Sequence, residues 1–545
     1  MNDHNRNWLR GQVLSSPSSV GTGYIRLTWL VLGLGLLVRL LMSGQFLLVP
    51  DEAYYWQWSR YPALGYYDHP PMIAWAIGLA TTLFGQSEFA VRLPTVLALA
   101  FASVYLCLLT AQWFAWKTAL QVALLSQAVL LLTGSALIAT PDGMLLLCWA
   151  AACYHAAQAT EKHNKKNKLL QWLLTGIWFG LGMLSKYTML LFLPSLFFAM
   201  LFTSAYRKQL LGYKPWLGLV CGCLLFFPVI FWNAQNNWVT FRHVLFQGGG
   251  SGTGLTLSYL PDFLGTQAAL VSPVIFLFII ASWVKGWTKG WTKKWAAQDH
   301  VVPARISFLL WMSLTTFLIF ALLSLHVRIY GNWPAPAYLT AFILIAALYS
   351  PGQVGEKIEK KATQYRLWWF GLGLASVVSM LILAQLLYPI LPLKVALDRT
   401  SRETKGWDTL GKLVDKEVQG MPQPKETFIF GLRYQLASEL AFYMQGQPRT
   451  VSINRWSRPN VYDFWFIDKM LLGKDAVGIF EHEPVSTVLP EVFERVDPVK
   501  KVTLTRTGPW FGEETVQTLY MARCYGFTGG LAWVPKDPAD VRAVE

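Results

Sequence analysis

The run "MIAWAIGLATTLFG", residues 72–85, decides how the rest of this chain is arranged. It is apolar throughout, but its 14 residues fall short of the roughly 20 that a helix needs to cross a bilayer. If it crossed all the same, every later loop would change sides. The later loops argue against that. Eleven other apolar runs are long enough to span or nearly so, near residues 27–49, 91–112, 118–139, 143–160, 169–185, 187–204, 216–232, 268–284, 305–325, 335–350 and 367–390. With the N-terminus inside and 72–85 left uncounted, "EKHNKKNK", "YRKQLLGYKP", "VKGWTKGWTKKW" and "SPGQVGEKIEKKATQYR" all fall on the cytoplasmic side. The opposite loops keep few basic residues, chiefly Arg60, Arg92, Lys186, Arg242 and Arg328. Cytoplasmic loops are the ones that retain Lys and Arg, so 72–85 is expected to be an outer-surface or re-entrant helix within an eleven-span topology.

Composition agrees. A chain of 545 residues that is 54% hydrophobic and only 14% charged cannot present an ordinary water-facing surface, so an all-α polytopic membrane protein is expected. Its 26 tryptophans suit a chain that meets two membrane interfaces many times. The net charge of +15 follows from lysines and arginines kept in cytoplasmic loops, so nucleic acid is not an expected partner. Five of the six cysteines lie in apolar segments, and no disulfide framework is expected. Residues 1–26 are polar and lack the short apolar core of a cleaved signal, which leaves them as a cytoplasmic tail ahead of a retained helix.

The membrane part is expected to run from 27 to 393. From 394 to 545 the chain becomes charged and mixed. There "TFIFG", "PRTVSI" and "AVGIF" read as short strands, and "RYQLASELAFYMQG", between the first two, has helical spacing. That order predicts a βαβ unit with a parallel sheet. An odd number of spans puts this α/β domain outside, in the periplasm of a cell with two membranes. No internal repeat of fixed period is present.

Titratable residues gather on the outer side. "PDEAYYWQWSRYPALGYYDHPP" sets Asp51 and Glu52 at the mouth of the first span and Asp68 and His69 in the loop beyond. "ATPDGM" adds Asp142, and later outer loops add Arg242, His243, His326 and Arg328. Carboxylates here can accept a proton from a hydroxyl or orient a sugar, and cations can bind phosphate, which suits a substrate with an anionic head and a lipid tail. Each residue also has a plainer role open to it. Asp51 and Glu52 suit the first turn of a helix, Asp142 suits a turn, Lys186 can snorkel, His243 and His326 suit an interface, and Arg39 inside the first span suits a structural ion pair. "GGGSGTG" from Gly248 reads as a lid or a linker; without a Gly-Lys-Ser/Thr ending it is no P-loop. No His/Cys cluster has zinc spacing.

The Asp-Glu pair after the first span, "YYDHPP", "SEFAVRLP", "TPD", "LSKYT" and "NWPAPAY" occur in order over residues 25–350. This ordered set resembles the bacterial glycosyltransferases related to protein O-mannosyltransferases and to the lipid A aminoarabinose transferase, which are GT-C enzymes. The resemblance implies an inverting transferase of the inner membrane that takes a monosaccharide from a polyprenyl-phosphate donor at the outer face, with a lipid, glycan or protein acceptor. It implies no nucleotide sugar and no cofactor, and the relatives do not suggest a divalent ion between Asp51 and Asp142. Position by position, it makes Asp51 the general base or orienting acceptor, Glu52 its helper, and Asp142 the second acid. In the aminoarabinose enzymes an acid followed by lysine precedes the proline; here the sequence is Asp68-His69-Pro70. Histidine carries only part of a charge near neutral pH, so the phosphate contact is expected to move to Lys186 or Arg328. Arg242, Tyr330 and Asn332 are further donor-binding candidates. Two other functions compete: a flippase or transporter for lipid-linked sugars, disfavoured because paired Gly/Pro-broken helices are absent, and an assembly scaffold that acts through its outer domain.

Overall fold

A computed structural model describes residues 19–161, 167–246, 254–291, 301–351, 362–482 and 488–533. The Gly248 run lies outside the described residues. Up to residue 387 the chain is helical: α1 (Ser19–Met42), α2 (Pro50–Ser59), α3 (Met72–Phe84), α4 (Glu88–Trp113), α5 (Trp116–Ala128), α6 (Leu130–Leu137), α7 (Pro141–Thr160), α8 (Lys168–Ser185), α9 (Phe192–Leu201), α10 (Tyr213–Gln235), α11 (Val239–Leu245), α12 (Tyr259–Val271), α13 (Pro273–Trp291), α14 (Val301–Leu323), α15 (Ala335–Tyr349) and α16 (Ala362–Leu387).

Among the described residues, five helices are long and apolar enough to cross a membrane, or up to eight if each of three bent pairs is one span. The bends have local causes. Between α5 and α6 the backbone turns by 63° at Val129, which is extended. Between α12 and α13 it turns by 109° at Ser272, whose φ is +78°, immediately before Pro273. Proline has no N–H to continue the helical ladder, and the residue ahead of it avoids helical backbone. The run at 72–85 forms one helix of 13 residues, ended by Gly85 at φ +83°, a conformation that costs glycine little.

Helix α15 is buried along almost its whole length, as an all-round apolar helix must be, and it packs against α4, α5, α7, α13, α14 and α16. Helices α8 and α10 touch backbone to backbone. A Cβ on Gly176 would collide with the Gly218 carbonyl, and one on Gly180 would lie 2.6 Å from the Gly222 carbonyl oxygen. Small residues four apart on facing helices permit this approach, which replaces the hydrophobic drive that lipid cannot supply.

Beyond α16 come α17 (Arg399–Thr404) and α18 (Trp407–Gln419), then β1 (Phe428–Gly431), α19 (Tyr434–Tyr443), β2 (Thr450–Ser452), β3 (Ala476–Phe480), β4 (Phe493–Val496), β5 (Lys500–Gly508) and β6 (Gly512–Phe527). The sheet order is β2-β1-β3-β6-β4, with β5 also on β6. Strand β1 is parallel to both β2 and β3, and β1 and β3 are buried on both faces, which is why they read as unbroken apolar runs. The three strands and the helix read from sequence are present. The antiparallel half, β4 to β6, goes beyond the expectation from sequence: β5 alternates exposed and buried residues from Val502 on, but the long β6 does not, and the ladder between them shifts register at Leu504/Thr505. The sheet is therefore mixed.

Candidate active site

Helix α2 and the ends of the bundle helices meet the C-terminal part around a cavity of about 1030 Å³. The bundle contributes Asp51, Asp68, His69, Asp142, Lys186, Tyr330 and Asn332, and the C-terminal part contributes Arg399, Arg433, Tyr434 and Arg458. A smaller cavity of about 360 Å³ among α8, α9 and α10 is lined by Trp172, Phe179, Phe192 and Trp216 and by no acid or base. Of these two, the larger one alone carries groups for proton or phosphate chemistry.

Adjacent residues Asp51 and Glu52 have opposite fates. Helix α2 opens with Pro50 in its first turn, after the extended Val49, a start suited to proline's fixed φ. Successive residues on a helix are turned by about 100°. Asp51 faces the cavity, while Glu52 is fully buried behind it. Glu52 accepts hydrogen bonds from Arg92 Nε at 2.8 Å, Arg92 Nη2 at 2.6 Å, the Ala139 amide at 2.7 Å and the Val49 amide at 3.0 Å. Arg92 in turn donates to the carbonyls of Ser43, Phe46 and Leu47. This pair fastens α2, α4 and two connecting loops together. The sequence reading of Glu52 as a helper to Asp51 therefore has no geometric support: Glu52 does not reach the cavity.

The three cavity acids differ in their partners. Asp142, in the first turn of α7, receives both bonds of a Lys186 ammonium at 2.8 and 3.0 Å, and a bond from Asn332 Nδ2 at 2.9 Å. Asp68 accepts from Arg458 at 2.9 Å and from the Tyr54 hydroxyl at 2.7 Å, with His243 at 3.6 Å. Burial alone would raise the Asp68 pKa, but Arg458, His243 and Tyr54 hold it below the usual carboxylate range. Asp51 has no hydrogen-bond partner among the described residues. Asp51 is exposed to the cavity, yet the protein walls around it strip away part of its hydration and, together with Glu403 and Asp68, push its pKa up to about 6, so it is ionised near neutrality yet basic enough to take a proton.

His69 is neutral at neutral pH, because burial and the nearby Lys186 charge push its pKa down to about 4. Its ring offers a hydrogen bond and no charge, so Lys186 is the bundle's cation in the cavity. Arg328 is exposed and paired with Asp262 at 3.1 Å, and Arg242 is exposed; neither lines the cavity. Arg39, expected in an ion pair, instead donates to Gln127 and to Thr133 at 3.4 Å. All six cysteines are free. The residues that sequence reasoning missed are those of the C-terminal part. Arg458 sits in the irregular segment "SRPN", where neither a period nor a motif points to a site 390 positions earlier in the chain.

Residues 68–232 match the dolichyl-phosphate-mannose-protein mannosyltransferase family. The chain is 27% identical over 350 residues to the lipid A galacturonosyltransferase RgtD of Rhizobium johnstonii, covering 62% of this chain and 65% of that protein. It is 31% identical over 221 residues to the undecaprenyl phosphate-alpha-4-amino-4-deoxy-L-arabinose arabinosyl transferase of Pseudomonas aeruginosa, covering 37% and 40%. The matches thus span under two thirds of these relatives' own lengths. The crystal structure of ArnT from Cupriavidus metallidurans in the apo state superposes with a TM-score of 0.61 at 13% identity, over 92% of this chain and 98% of that one. The same protein bound to undecaprenyl phosphate gives 0.60 at 14% identity. This is the GT-C fold. The resemblance carried by the motifs therefore extends to the architecture, and within the GT-C fold the helix bundle and the mixed-sheet part are superposed together on one relative.

Proposed function

We propose that this chain is an inner-membrane glycosyltransferase that moves a monosaccharide from a polyprenyl-phosphate donor, of the undecaprenyl type, to an acceptor at the outer face. The observation that carries the reading is that Asp51 alone among the three cavity acids is left without a hydrogen-bond partner among the described residues, while Lys186, held by Asp142, lines the same cavity. Asp51 removes the proton from the incoming acceptor oxygen. That oxygen attacks the anomeric carbon as the bond to the donor phosphate breaks on the opposite side, so the configuration inverts. The departing polyprenyl phosphate needs its charge stabilised and no proton. Lys186 has one N–H beyond the two given to Asp142, and His69 adds a neutral hydrogen bond. Asp142 is then a positioning residue that aims Lys186, and Asn332 fixes Asp142.

The names of the relatives suggest a glycolipid acceptor of the lipid A kind, in preference to a protein or a glycan. Eleven crossings, an N-terminus inside, α3 lying along the outer surface and residues 394–545 in the periplasm complete the reading. No cofactor enters these steps. The test is mass spectrometry of membrane lipids from cells with and without the protein. One polyprenyl-phosphate monosaccharide is expected to accumulate without it, and to fall when wild-type protein is restored. A lipid profile that does not change would overturn the donor assignment and return weight to transport or scaffolding.

A further inference from the structure

The cavity has two cationic walls. One is Lys186 beside His69. The other belongs to the C-terminal part, and its arginines are of two kinds. Arg458 is committed: it holds Asp68 at 2.9 Å and lies 4.9 Å over the Tyr434 ring. Arg399 and Arg433 are held loosely. Arg399 pairs with Glu403 one turn away at 2.6 Å, their side chains 79% and 35% exposed, and Arg433 pairs with Glu481 at 2.8 Å, with side chains 52% and 27% exposed. Such exposed pairs add little to folding, and a guanidinium exchanges one carboxylate readily for a better bidentate anion. Both arginines line the cavity of Asp51, and the positive charge of Arg399 is one of the smaller influences that favour ionised Asp51. Departure of the donor phosphate uses Lys186 and leaves Arg399 and Arg433 without a role.

We propose that Arg399 and Arg433 form a second anion subsite, contributed by the C-terminal part, which takes a phosphate or carboxylate other than the donor phosphate. This rests on the transferase reading above. The anion has two sources: the acceptor head group, or a carboxylate on the transferred sugar.

The test uses the full chain in nanodiscs and measures binding of four probes: undecaprenyl phosphate, bisphosphorylated lipid A, lipid A with both phosphates removed, and undecaprenyl-phosphate-linked galacturonic acid. The double variant Arg399→Gln/Arg433→Gln is expected to bind undecaprenyl phosphate and dephosphorylated lipid A as wild type does. It should lose about tenfold or more on one of the other two, on lipid A if the anion belongs to the acceptor and on the galacturonic acid donor if it belongs to the sugar. Glu481→Gln, which frees Arg433, should tighten binding of that same probe. Equal affinities of wild type and double variant for both anionic probes, with no gain from Glu481→Gln, would overturn the subsite. Failure of the wild type to bind undecaprenyl phosphate would instead overturn the donor reading on which it rests.

Discussion

Asp51 and Glu52 show what one residue's position on a helix can decide. In the sequence they form a single acidic pair and invite a shared role; in the fold the turn between neighbours sends one carboxylate to the cavity and the other into a closed ion pair. That separation was not legible, because it depends on which face of α2 meets the cavity. The gathering of Asp51, Asp68, His69, Asp142, Lys186, Tyr330 and Asn332 in one place was legible, since topology alone set all of them at the same end of the bundle. Two consequences follow at this scale. The Asp51 pKa is raised to about 6, so the base proposed at this position is lost as pH falls through that value. Transfer, followed as initial rate against pH, should drop to half near pH 6, and Glu403→Gln, which removes one raising charge, should move that midpoint lower; a rate independent of pH between 5 and 8 would contradict it. Glu52→Gln should act on folding: removing one partner of a fully buried pair leaves the Arg92 charge uncompensated, at a cost of about 3–5 kcal/mol. The check is the yield and melting temperature of the detergent-purified variant, both expected well below wild type.

Among the elements, those with a strong period or an unbroken apolar run were legible: the long helices, β1 to β3 and the helix between them. The broken spans were not, because a single extended residue such as Val129 leaves no mark on hydropathy. Helix α19 carries a feature that sequence reasoning missed. Glu439 is fully buried and neither carboxyl oxygen has a hydrogen-bond partner among the described residues. Burial, and then the Glu52 charge, hold its pKa well above the usual carboxylate range, against the lowering effect of Arg92. The folded protein therefore keeps a proton that the unfolded chain releases above about pH 4.3, and stability contributed at this position declines as pH rises past that value. Glu439→Gln should accordingly gain melting temperature over wild type progressively from pH 5 to pH 8. An offset that is the same at every pH would contradict a protonated Glu439.

At the scale of the whole molecule, the cavity belongs to neither part alone. Tyr54 in α2 accepts from the Val461 amide at 3.1 Å, Tyr443 donates to Glu88 at 3.1 Å and accepts from the Leu48 amide at 2.6 Å, and Arg60 donates to the carbonyls of Gln447 and Pro448. The change in composition near 394 leads to the expectation of two parts, but how the residues on either side of it meet depends on packing between positions hundreds apart, for which the sequence holds no local signal. A chain ending at residue 393 would lose Arg458, leaving Asp68 with a different charge balance. It is expected to show no sugar transfer even where it inserts into the membrane, measured in cells as continued accumulation of the donor lipid.

The most direct measurement is the initial rate of sugar transfer by Asp51→Asn in proteoliposomes, using the donor lipid that accumulates in cells without the protein. Asparagine keeps the size and loses the basicity. With undecaprenyl phosphate binding retained, the rate should fall by about 100-fold or more, the usual contribution of a positioned base; a variant that transfers as fast as wild type would contradict the assignment of Asp51 as the base.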